Sequence, residues 1–124
     1  MKRFSLADRL ESFRYALHGL DVLVRTQHNA RIHLTATIIV VVAGLLFGIS
    51  LLEWAVLAIA ISVVWLAEAL NTGFEFVCDV VTPSFHLKVK QAKDVAAGGV
   101  LIAALGAAVA GVFIFLPHAQ KFLV

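Results

Sequence analysis

The chain has 124 residues, of which 61% are hydrophobic and only 15% are charged, and its formal net charge is +2. An average soluble domain has about 25% charged residues, so this composition excludes an ordinary soluble globular protein. The length allows one domain, residues 1–124. A net charge this small gives no reason to expect a nucleic-acid partner. We therefore expect a small integral membrane protein.

The N-terminal segment, residues 1–26, is predicted to form an amphipathic helix that lies on the membrane surface. Its basic and polar residues occupy one side of the helix, as in helices that bind in the interfacial plane. The same spacing is compatible with a coiled coil, but about three heptads directly before a membrane span favour the interfacial helix. The apolar residues recur at intervals of three and four and are Leu6, Leu10, Phe13, Leu17, Leu20 and Val24.

Two uncharged runs, 34–52 and 95–117, predict membrane-spanning helices. Each run is long enough to cross a hydrocarbon core of about 30 Å. We place the first span at 31–52 and the third span at 94–117. Gly44 and Gly48 of the first span form a GxxxG pattern, which permits close approach of helices but is common in membrane proteins.

Polar residues enter the end of the second predicted span. Residues 54–67 are uncharged, but this run is too short to cross a bilayer unaided, so the span is predicted over 54–78. An ionisable group at membrane depth is costly unless it faces a partner or water. The polar residues therefore mark the candidate functional site, although a solvated face of a soluble helix would look similar in isolation. They fall within about 80° of one another on a helix and form the polar stripe: Glu68, Asn71, Glu75 and Asp79.

A loop is predicted at 79–92, and Lys93 and Asp94 follow it at the start of the third span. A connection of this length allows the second and third helices to lie antiparallel. Lys93 and Asp94 would then come close to the polar stripe.

The basic residues are distributed unevenly along the chain. Six stand before or at the start of the first span and three lie at 88–93, whereas only Lys121 follows the third span. The positive-inside rule then predicts that the N-terminus and the 79–92 loop are cytoplasmic and that the C-terminus is outside. The basic residues on the cytoplasmic side are Lys2, Arg3, Arg9, Arg14, Arg25, Arg31, Lys88, Lys90 and Lys93.

These residue types leave two kinds of chemistry open. Carboxylates beside a lysine suit phosphoryl transfer, in which oxygen ligands hold Mg²⁺, lysine neutralises phosphate charge and a carboxylate accepts the proton of the attacking hydroxyl. The alternative is a small cation or proton-coupled transporter in which Glu68 and Glu75 carry protons. A structural subunit of a larger membrane complex is a third possibility, and it would depend on the small-residue helix faces instead.

The segment AEALNTGFEFVCD, followed by AKDVAAGGVLIAA, resembles the signature of the prokaryotic diacylglycerol kinases and the related undecaprenol kinases. The family pattern is E-A-x-N-T-x-x-E-x-x-x-D, a loop containing a histidine, and then A-K-D. FRYALHGL and NARIHL are also similar to family segments, so the resemblance covers nearly the whole chain. Every fixed position is present, as Glu68, Asn71, Thr72, Glu75, Asp79, His86, Lys93 and Asp94.

The resemblance implies an all-α fold with an amphipathic surface helix and three transmembrane helices, assembled as a homotrimer in the bacterial cytoplasmic membrane. The active sites would lie between subunits at the cytoplasmic interface. ATP would be the phosphoryl donor, Mg²⁺ the cofactor and a membrane lipid alcohol the acceptor. Undecaprenol is favoured over diacylglycerol because NARIHL is more similar to the undecaprenol kinase branch.

The resemblance also implies roles for individual residues. Glu68 would be the general base and contact the lipid, Asn71 would position the reacting groups, and Glu75 would bind Mg²⁺ and the nucleotide. Gln27 stands where the family commonly has a glutamate that shares the metal with Glu75. An amide there removes one negative charge, so we expect Mg²⁺ to be bound more weakly or with different coordination. The remaining nucleotide-binding residues would be Tyr15, His86, Lys93 and Asp94.

Overall fold

The computed structural model describes residues 5–121, which form four α-helices. Residues 1–4 and 122–124, with Lys2 and Arg3 of the predicted first helix, lie outside the described residues. Within 5–121 the fold is entirely helical, as predicted. The helices are α1 (Leu6–Thr26), α2 (His28–Phe47), α3 (Leu51–Val81) and α4 (Leu87–Gln120).

The helices α2, α3 and α4 are each long and apolar enough to cross a membrane, which confirms the predicted class of three-span membrane protein. The helix α1 begins at Ser5, whose hydroxyl accepts a hydrogen bond from the backbone N–H of Asp8. The other described residues leave most of its predicted apolar side exposed, and Phe13 is 70% exposed. This uncovered side is consistent with the prediction of an interfacial helix.

The first span ends earlier than predicted. The helix α2 stops at Phe47 because Gly48 adopts a left-handed conformation (φ 62°), which glycine reaches without steric cost. Ser50 and Glu53 then form a capping box, in which the Glu53 carboxylate accepts a hydrogen bond of 2.7 Å from the backbone N–H of Ser50. Residues 51–53 therefore belong to α3, which corrects the predicted boundary of 31–52.

The predicted loop over 79–92 is also too long. The helix α3 continues to Val81 and α4 begins at Leu87, so only residues 82–86 lie outside helices. Pro83 has no backbone N–H and disfavours the helical conformation of the residue before it, so the helix stops there. The predicted spans 54–78 and 94–117 each lie inside a longer helix whose end carries polar residues.

Antiparallel packing of α3 against α4 is the most extensive helix–helix contact in the described chain. Polar contacts mark both ends of the pair. Lys93 meets Asp79 at one end, and Nδ1 of His118 lies 3.8 Å from Oε1 of Glu53 at the other end. The helix α2 makes fewer contacts with both of them.

A small apolar cluster anchors α2 to α3 and α4. It contains Ile49, Leu57 and Ile114, with Trp54 packed beside them. A Cβ atom built on Gly44 would lie only 2.8 Å from the Trp54 ring. Gly44 therefore permits a close approach within one chain, whereas Gly48 of the same GxxxG pattern ends the helix.

Candidate active site

The polar stripe runs along α3 from a buried region to an exposed end. Glu68 and Thr72 are 2% and 3% exposed, Asn71 is 9% exposed, Glu75 is half-buried, and Asp79 is exposed. In the described part of the chain, three buried acceptor atoms have no hydrogen-bond partner: Oε2 of Glu68, Oδ1 of Asn71 and Oγ1 of Thr72. Such an atom costs about 1–3 kcal/mol, so three of them on neighbouring turns indicate a place for a ligand or water.

A cavity of about 250 Å³ opens between α2, α3 and α4 at this point. Glu68 and Asn71 form its polar wall, and small or aliphatic side chains of α4 form the opposite wall. It exceeds the volume of several water molecules, each of which occupies about 30 Å³ in the liquid. Its lining residues are Asn29, Ile32, His33, Glu68, Asn71, Ala97, Val100, Leu101 and Ala104.

The side chain of His33 on α2 faces Glu68 across this cavity. Its Nε2 atom lies 3.8 Å from Oε2 of Glu68, and the histidine side chain is only 16% exposed. This distance is too long for a hydrogen bond, but it makes the imidazole a close polar neighbour of the carboxylate. His33 is not among the site residues predicted from the sequence. The segment NARIHL, which contains it, was the one available signal.

The exposed end of the stripe meets α4. Nζ of Lys93 donates a hydrogen bond of 2.9 Å to Oδ1 of Asp79, so the expected approach of Lys93 to the stripe is found. Lys93 directly precedes Asp94 and the uncharged run 95–117. Asp94 instead accepts a hydrogen bond of 2.6 Å from Lys90 on its own helix.

Three other predicted site residues lie away from this network. The Tyr15 hydroxyl on α1 donates a hydrogen bond of 2.6 Å to Glu11, which raises the pKa of Tyr15. Gln27, at the junction of α1 and α2, donates to Oγ1 of Thr26 at 3.3 Å. His86 is exposed at the N-cap of α4. Within residues 5–121, no hydrogen bond or ion pair joins any of the three to the polar stripe.

The residues of the stripe fit a magnesium ion that arrives with a phosphate ligand. Within 5–121, no group of three histidine, cysteine or carboxylate side chains could hold a metal ion. Mg²⁺, however, is usually bound by one or two carboxylates together with waters and substrate phosphates. Glu75 is a half-buried carboxylate whose Oε1 accepts a hydrogen bond of 3.2 Å from Nδ2 of Asn71. One carboxylate of this kind would suit such an ion, with phosphate and water as the remaining ligands.

Comparison with known proteins points to one family. The family model for prokaryotic diacylglycerol kinase matches residues 14–115. A diacylglycerol kinase from Synechocystis sp. is 40% identical over 116 residues, which are 93% of this chain and 66% of the relative. An undecaprenol kinase from Bacillus subtilis is 36% identical over 107 residues, 86% of this chain and 87% of the relative. The chain thus spans just under two thirds of the first relative and most of the second.

Proposed function

Because the chain belongs to the prokaryotic diacylglycerol kinase family, we propose that it transfers the γ-phosphoryl group of ATP to the hydroxyl group of a membrane lipid. The observation that carries the proposal is the buried carboxylate of Glu68. Its Oε2 atom has no hydrogen bond in the described chain, and Glu68 lines a cavity together with Asn71. A buried carboxylate without a hydrogen bond, beside a cavity, suits a general base for an alcohol.

Undecaprenol is the favoured acceptor. The segment NARIHL resembles the undecaprenol kinase branch, whereas overall identity differs little between the Bacillus subtilis undecaprenol kinase (36%) and the Synechocystis diacylglycerol kinase (40%). Both lipids present a primary hydroxyl group beneath hydrophobic chains. The transfer chemistry is therefore the same for either acceptor, and the test below offers both.

In the proposed reaction, the oxygen of the lipid hydroxyl attacks the γ-phosphorus of ATP while Glu68 accepts the hydroxyl proton. The bond between the γ-phosphorus and the bridging oxygen breaks, and ADP leaves with the electron pair. Asn71 orients the reacting groups through the amide that also contacts Glu75. Burial of Glu68 keeps bulk water away from the base and so limits hydrolysis of ATP.

The nucleotide would bind toward the exposed end of the polar stripe. Glu75 would hold Mg²⁺, and the ion, when bound, neutralises phosphate charge. Gln27 would be a weaker, neutral ligand at the position where the family commonly has a glutamate. The charge of Lys93 next to Asp79 provides a second countercharge for phosphate. Asp94, His86 and Tyr15 would complete the nucleotide site.

We place the protein in the bacterial cytoplasmic membrane as a homotrimer, with its N-terminus and the 82–86 connection cytoplasmic and its C-terminus outside. The distribution of Lys and Arg supports this orientation, which puts the polar stripe on the ATP side. Tyr15 and Gln27 make no hydrogen bond or ion pair with the stripe of their own chain within 5–121. This separation supports a site shared between subunits, in which both residues act on a neighbouring stripe.

The proposal is tested with purified protein in mixed micelles that contain labelled ATP and Mg²⁺. Undecaprenol and diacylglycerol are offered in parallel, with Glu68→Gln as the control. We expect labelled phosphate in the lipid fraction, predominantly in undecaprenol, and its loss in the variant. The competing hypothesis of a transporter that uses Glu68 and Glu75 predicts no lipid phosphorylation and no dependence on Lys93.

A further inference from the structure

We propose that His33 is a positioning residue for the general base, and that its imidazole Nε2–H holds the Glu68 carboxylate in the orientation that accepts the lipid hydroxyl proton. The inference rests on the proposed function, because it assigns Glu68 as the base. It adds a residue from α2 to a site whose other candidate side chains on the cavity wall come from α3.

The geometry gives Glu68 one close partner. Nε2 of His33 lies 3.8 Å from Oε2 of Glu68, which is the carboxylate oxygen without a hydrogen bond in the described chain. Both side chains line the same cavity. His33 is also on the wall of a larger apolar cavity of about 700 Å³ between α2, α3 and α4. It therefore lies between the cavity beside the base and a cavity whose apolar lining suits hydrocarbon.

Hydrogen bonds hold the two turns that carry His33 and Glu68 in register. Oγ1 of Thr37 donates to the backbone carbonyl of His33 at 2.7 Å. Nε1 of Trp65 donates to Oγ1 of Thr37 at 3.1 Å, and Trp65 precedes Glu68 by one turn of α3. A polar link therefore joins α2 to α3 one turn away from His33 and Glu68. This link restricts the relative rotation of the two helices that carry the imidazole and the carboxylate.

A separation of 3.8 Å closes to a hydrogen bond by a small rotation of the carboxylate or the ring, and catalytic contacts commonly tighten when substrate binds. A donor on Oε2 fixes the plane of the carboxylate and leaves Oε1 for the lipid hydroxyl. During transfer the hydroxyl proton moves to Glu68, and His33 keeps its own proton. This is the arrangement in which a third group orients a general base. Glu75, two turns along α3, is an acceptor and cannot replace the imidazole.

The test compares His33→Gln with His33→Met in the full-length protein in mixed micelles. The two side chains have similar length and shape, but only glutamine has an N–H donor. We expect kcat of the Gln variant to stay within about fivefold of the natural protein, and that of the Met variant to fall roughly 10- to 100-fold, the effect of one hydrogen bond to a charged group. KM for ATP should change little in either variant, because His33 is proposed to act on the base and not on the nucleotide. His18→Met, on the exposed side of α1, is the control for loss of a histidine.

Equal kcat values for the Gln and Met variants, with an active natural protein, would overturn the role of His33 and leave the kinase proposal intact. A natural protein that phosphorylates neither lipid would instead overturn the proposed function, and this inference with it.

A second measurement does not depend on turnover. Nitrogen NMR of ¹⁵N-histidine-labelled protein identifies the His33 signals by their loss in His33→Gln. We expect the proton on Nε2, and a change of that signal in Glu68→Gln. An Nε2 atom without a proton, or His33 signals that are unchanged in Glu68→Gln, would contradict the inference.

Discussion

The ammonium group of Lys93 on α4 and the carboxylate of Asp79 on α3 lie 2.9 Å apart, near the connection at 82–86 that joins the two helices. Asp79 is the exposed end of the polar stripe, and Lys93 precedes the uncharged run of α4. The contact therefore places a positive charge at the exposed end of the stripe, where a phosphate ligand could enter. A phosphate group would compete with Asp79 for the same ammonium group.

Replacement of Lys93 by methionine is expected to separate activity from stability. The Lys93 side chain is one-third exposed, and such ion pairs contribute only about 0–1 kcal/mol to folding. We therefore expect a nearly unchanged unfolding temperature in detergent, together with a rise of roughly tenfold or more in KM for ATP. Lys88→Met is the matched control, because Lys88 is an exposed lysine in the first turn of α4 and is not among the proposed site residues. Equal effects of the two substitutions on KM would argue against a specific role for Lys93.

Substitution of Glu68 by glutamine is expected to lower kcat by roughly 10²- to 10⁴-fold, the usual contribution of general base catalysis. The folded protein should be as stable as before or more stable, because an ionised carboxylate buried without a hydrogen bond is costly. Thermal unfolding and lipid phosphorylation, measured on the same preparation, check the two effects. A large loss of stability would show that Glu68 is needed for folding and would remove the support for its role as base.

The fold and the stripe were largely predictable, since uncharged runs set the spans and helical spacing sets the polar face. Helix ends were not, because hydropathy does not detect the capping box of Ser50 and Glu53 that starts α3 early. The meeting of Lys93 with Asp79 followed from the antiparallel expectation. The pairing of His33 with Glu68 did not, since it depends on the relative rotation of α2 and α3, which the sequence pattern leaves free.

Gly44→Ala is expected to destabilise the fold. The new methyl group would lie 2.8 Å from the Trp54 ring and 3.1 Å from the Ile49 side chain, so the packing of α2 on α3 must shift. Overpacking of this kind costs about 1–3 kcal/mol. Gly106→Ala on α4 is the control, because its Cβ would meet nothing within 4 Å. Unfolding temperatures in one detergent compare the two, and a Gly44→Ala protein as stable as the control would contradict the close packing.

Gln27→Glu is expected to increase the affinity of the proposed site for Mg²⁺. Position 27 carries a neutral amide whose Nε2 donates to Thr26, and it lies at the junction where α1 meets α2. A carboxylate adds a negative charge to the proposed metal ligands, and the affinity of oxygen-ligand sites rises with their charge. We expect the Mg²⁺ concentration for half-maximal phosphorylation to fall roughly tenfold, the effect of about 1.4 kcal/mol in binding free energy. Gln27→Met, which keeps the length but has no oxygen ligand, should raise that concentration or leave it unchanged. If Glu and Met variants need the same Mg²⁺ concentration as the natural protein, position 27 does not contact the metal, and Glu75 with the ATP phosphates holds it alone.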